Sequence, residues 1–151
     1  MSPFVKWFIK SSLTWLGGGV TLGVAIAIWP RLIVYRPAHV HMNLLGFVTM
    51  MIFAVGYHVL PRIAGAPLRW EWLGPVHWWL ANVGLALMVT GFFVLPSSAM
   101  GRWILAPGGT LAAIGAFCFI VNIWRTVDVA STRAANAKRA RKGLPVTEAI
   151  V

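Results

Sequence analysis

The chain has 151 residues, 59% of them hydrophobic and 11% charged, with a mean hydropathy of +0.78. A soluble domain is about half apolar and about a quarter charged, so this balance excludes an ordinary soluble domain and points to a bilayer. One cysteine, Cys118, and three acids, Glu71, Asp128 and Glu148, none of them inside an apolar core, exclude a disulfide framework, a cysteine metal cluster and a membrane carboxylate relay.

Met1 to Ser12 read as a short basic and aromatic lead-in. The first apolar run is about Leu13 to Trp29, closed by Pro30. Its length and the lack of a small-residue cleavage site make it a retained helix and not a signal peptide. Gly19-Val-Thr-Leu-Gly23 is a GxxxG pattern, which either lets helices approach closely or reflects the frequency of glycine in membrane helices. The second run is about Ala38 to Leu60, closed by Pro61, the third about Val76 to Leu95, closed by Pro96, and the fourth about Trp103 to Trp124. Each approaches the ~20 residues that cross a hydrocarbon core. The expected fold class is an all-α integral membrane protein with four transmembrane helices, antiparallel between neighbours because the loops are short. Residues 1–125 form the membrane domain, and 126–151 form a basic tail that starts as a helical extension.

Lysine and arginine counting sets the expected orientation. Lys6, Lys10, Arg62, Arg69, Arg125, Arg133, Lys138, Arg139, Arg141 and Lys142 fall on one side, and Arg31, Arg36 and Arg102 on the other, so ten and three account for all thirteen. Both termini are expected in the cytoplasm of a bacterial-type inner membrane. The net charge of +10 is then a positive-inside anchor facing anionic lipid, and the tail lacks the interleaved aromatics of a nucleic-acid binder.

Histidine inside a bilayer is a functional-site hypothesis by default. His39 and His41 open the second run. At 3.6 residues per turn, positions i and i+2 point about 200° apart. They cannot chelate one ion together, but each can serve a different planar ligand on its own flank of the helix. His58 lies nineteen residues beyond His39, roughly 28 Å along the axis and at the opposite membrane face. His77 opens the third run on that same side. A second axial ligand for an outer histidine must therefore come from another copy of the chain. His58 and His77 either form an inner site of their own or rest at headgroup level beside Trp78 and Trp79.

His39-Val-His41, Gly46-Phe47, Tyr57 and Pro61-Arg62 resemble the tenth helix of the catalytic subunit of C-type haem–copper oxidases, relatives of the nitric oxide reductases. The opening Arg36-Pro-Ala-His39 also resembles the start of that subunit's second helix. The resemblance covers about twenty-five residues. It implies one four-helix arc of a subunit built from three such arcs, and hence a homo-oligomer, a trimer being favoured. It also implies non-covalent haem b with His39 and His41 as iron ligands. Arg31 and Arg36 lie near that pair, either facing haem propionates or snorkelling to headgroups. The chain departs from the family in lacking the adjacent His-His of the copper site, so no copper, no oxygen reduction and no catalytic residue are expected. Electron transfer through bis-histidine haem, with a quinol or redox-protein partner, leads. Haem-based binding or reduction of nitric oxide or oxygen, and a cofactor-free structural or assembly subunit, are the alternatives.

Overall fold

The computed structural model describes residues 1–145. Within them the chain is all helical, with four helices long and apolar enough to cross a membrane. These are α1 (Pro3–Ile28), α2 (Pro30–Ala64), α3 (Leu73–Val94) and α4 (Met100–Arg141).

Helix α1 starts about ten residues before the expected Leu13. Pro3 occupies the first turn, where its missing N–H costs nothing. The supposed lead-in supplies core: Phe4, Val5 and Phe8 are all buried. Helix α2 opens as a 3₁₀ stretch over Pro30–Tyr35, is α-helical over Arg36–His41, widens to a π-helix over Met42–Thr49, and is α-helical again over Met50–Ala64. It runs through Pro61 instead of ending there. Its actual stop is Gly65 at φ 70°, where the Gly65 and Ala66 N–H groups donate back to the Arg62 and Pro61 carbonyls in a Schellman cap.

Neighbouring helices are antiparallel. Along α1 and α2, Phe4 meets Tyr57, Phe8 meets Phe53, and Gly23 meets His39. Along α2 and α3, Tyr57 meets His77 and His41 meets Phe92. Helices α3 and α4 touch backbone to backbone. A Cβ on Gly84 would stand 2.6 Å from the Ala112 amide nitrogen, one on Gly101 2.6 Å from that of Leu95, and one on Gly108 2.7 Å from that of Met88. Such glycines are what let membrane helices pack without a hydrophobic driving force.

Helix α4 continues to Arg141, well past the apolar run. Its polar part is anchored at its start. Asn122 accepts from the Trp70 amide (3.1 Å) and donates to the Trp70 carbonyl (2.9 Å), and Thr126 Oγ1 accepts from the Arg69 amide (3.0 Å). These bonds pin the α2–α3 loop. The last part of the expected tail, 146–151, including Glu148, lies outside the described residues.

Candidate cofactor site

His39 and His41 both belong to the short α-helical stretch just before the π-helix. Wide π turns concentrate at functional positions. Here they coincide with a tight contact: a Cβ on Gly46 would stand 2.5 Å from Trp15 Cβ. Thr49 Oγ1 donates to the Leu44 carbonyl five residues back, following the wider turn.

The two rings diverge, as their spacing requires. His39 turns toward α1, where its Nδ1 donates to the Gly19 carbonyl at 2.7 Å. A carbonyl only accepts, so that nitrogen carries a proton, and Nε2 has no hydrogen-bond partner among the described residues. The seat is made by the GxxxG glycines. A Cβ on Gly23 would stand 2.6 Å from His39 Cε1, and one on Gly19 2.6 Å from Asn43 Nδ2. Asn43 Nδ2 in turn donates to the His39 carbonyl at 2.9 Å. It also lies 3.3 Å from His39 Nδ1, a packing contact once that nitrogen is committed to Gly19. His41 turns toward α3, with its ring 4.7 Å from that of Phe92. Its Nδ1 donates to the Pro37 carbonyl at 2.8 Å, and its Nε2 is likewise without a hydrogen-bond partner among the described residues.

Both imidazoles are thus arranged as a metal ligand needs: oriented through Nδ1–H to a backbone carbonyl, with Nε2 available. Neither is sealed in the bundle, since both are only partly buried. The residues fit an axial role toward haem iron, one ring on each side of α2. Arg31 and Arg36 are exposed at the same end of α2 and make no ion pair among the described residues. Among those residues no group of three or more His, Cys, Asp or Glu side chains is placed to hold a metal ion.

The inner histidines part company. His77 is sealed inside the bundle, 0% exposed. Phe8, Phe53 and Phe119 surround it, with ring centroids at 4.8, 4.5 and 6.1 Å. Its Nδ1 lies 3.1 Å from the Tyr57 hydroxyl, while its Nε2 is buried without a partner. His58 is partly exposed, and its carbonyl accepts from the Arg62 guanidinium. The structure joins His77 to Tyr57, not to His58. Sequence reasoning missed the Tyr57–His77 contact, although the twenty-residue separation across one short antiparallel turn was a usable signal. It also missed that Gly19 and Gly23 hold side chains and not a helix backbone, a role the GxxxG pattern alone does not specify.

No family model matches the chain. It is 26% identical over 119 residues to the cbb3-type cytochrome c oxidase subunit CcoN1 of Stutzerimonas stutzeri, a match covering 61% of this chain. The chain spans about a quarter of that subunit's length, 25%. The likeness suggests the haem–copper oxidase superfamily and no finer level. Together with the four apolar helices, it supports an integral, multi-pass membrane protein.

Proposed function

We propose that this chain is a membrane haem b protein that transfers electrons, with His39 of one copy and His41 of its neighbour as the two axial ligands of a shared haem. The observation that carries the reading is the matched state of the two imidazoles, each with Nδ1 tied to a carbonyl and Nε2 free. Their opposite directions, toward α1 and toward α3, favour a pair completed between chains over one completed within a chain. The likeness to a cytochrome c oxidase subunit makes haem the natural occupant. Bound haem would supply reversible one-electron chemistry at an iron with both axial positions filled. The chain's own contribution is to orient the imidazoles, fix their tautomers and keep the site in an apolar surround. A ring of copies related head to tail closes such pairs without leaving one open.

The absorption spectrum of the purified protein tests this. Expected are sharp reduced bands, no shift on adding carbon monoxide, and one haem per chain. A carbon monoxide shift would transfer the case to gas binding, and a colourless preparation free of iron would remove haem altogether.

A further inference from the structure

A second site lies away from the histidine pair, in a groove of about 510 Å³ between the first halves of α1 and α3. Four indoles wall it: Trp7, Trp15, Trp78 and Trp79. Two of their N–H groups are used inside the protein, Trp15 donating to Asn82 Oδ1 at 3.2 Å and Trp78 to Ser11 Oγ at 2.9 Å. Asn82 spends its own amide nitrogen on the Trp78 carbonyl at 2.9 Å. Those bonds engage Asn82 Oδ1 and Ser11 Oγ, and the Thr14 hydroxyl donates to the Lys10 carbonyl at 3.0 Å. What remains is a set of donors: the indole N–H groups of Trp7 and Trp79, whose side chains are 42% and 60% exposed, and the Lys10 ammonium. None has a hydrogen-bond or ion-pair partner among the described residues.

A wall whose unpaired donors are two indole N–H groups and an ammonium, and whose single charge is that cation, beside exposed aromatic surface selects an anion that carries an apolar tail. We infer that this groove binds an anionic phospholipid, its phosphate at Lys10 and an acyl chain along the indoles. The depth agrees. Ser11 is level with Trp78, about 8 Å along α3 from its start at Leu73, where an interfacial tryptophan belt belongs and a lysine reaches the headgroup layer. A zwitterionic lipid brings its own cation to the phosphate, and a quinone offers acceptors without charge; Lys10 discriminates against both. The site shares no residue with the histidine pair, so it stands whether or not haem binds.

The full-length protein, purified and delipidated in detergent, is titrated with phosphatidylglycerol or phosphatidylcholine and read by native mass spectrometry. Phosphatidylglycerol is expected to bind about fivefold more tightly, the contribution of one basic residue near a lipid surface. K10Q removes that preference and K10R keeps it. K6Q also keeps it, because Lys6 is exposed on the same helix but does not line the groove. Equal binding of the two lipids, an unchanged preference in K10Q, an equal loss in K6Q, or displacement of phosphatidylglycerol by a quinone overturns the assignment.

Discussion

At the scale of single residues, each histidine has a distinct environment and therefore a distinct expected response. His39→Ala or His41→Ala removes most of the haem, measured as pyridine haemochrome per chain, whereas His58→Ala does not; equal retention in all three would sink the ligand assignment. Gly23→Ala is a finer probe. Its Cβ would stand 2.6 Å from His39 Cε1, 3.0 Å from Nδ1 and 3.5 Å from Nε2, so the ring must shift in its seat. Loss of an orienting contact around a metal ligand costs about 10–100-fold in affinity, so haem titration should weaken by that order while far-ultraviolet circular dichroism stays unchanged. His77 behaves differently, because its one polar partner is Tyr57. Tyr57→Phe strips that partner from a buried ring and should cost about 1–3 kcal/mol. Adding His77→Phe removes the orphaned polar group, so the double variant should recover most of the loss in thermal unfolding in detergent. A double variant as unstable as the sum of the singles would mean that the pair is not the coupled unit described.

At the scale of elements, the glycine contacts of α3 with α4 set the expectation. Gly108→Val places a branched side chain where even a Cβ stands 2.7 Å from the Met88 backbone. The helices must part, at a cost of about 1–3 kcal/mol or more, visible as a lowered unfolding midpoint. Gly109→Val, next to it and open at its Cβ, should change little. The same elements show how far the sequence could be read. Apolar runs and their prolines located four helices, because bilayer thickness imposes a length that composition records. The start of α1 was hidden, since Lys6 and Lys10 break the hydropathy of a turn whose other face, Phe4, Val5 and Phe8, is core. The end of α2 was hidden because a capped last turn tolerates Pro61. The π-helix over Met42–Thr49 was invisible, and so was the close seat of its Gly46 against Trp15 of another helix, a contact no local pattern records. The divergence of His39 from His41 was legible from spacing alone, since both lie in the α-helical stretch before that widening. Their partners on α1 and α3 were not, because partner choice is a property of packing.

At the scale of the whole molecule, sharing ligands between copies has a consequence that ligation within one chain lacks. In the proposed closed head-to-tail ring, each site would take His39 from one copy and His41 from the next. A ring of His39→Ala chains has no intact site, and neither has a ring of His41→Ala chains. A mixed ring does: wherever a His41→Ala chain offers its His39 to a His39→Ala neighbour, that neighbour's His41 completes the pair. With equal amounts and random assembly, the two chains occur in that order at about a quarter of the junctions, whatever the number of copies in the ring. Co-expression of two colourless variants should therefore restore about a quarter of the wild-type haem, read as the reduced absorption band per chain. If both ligands came from one chain, or if each haem used one histidine alone, co-expression would give only the average of the two separate variants. The assay needs no knowledge of the redox partner, and it separates the shared-pair arrangement from the other haem readings by a colour that neither variant produces alone.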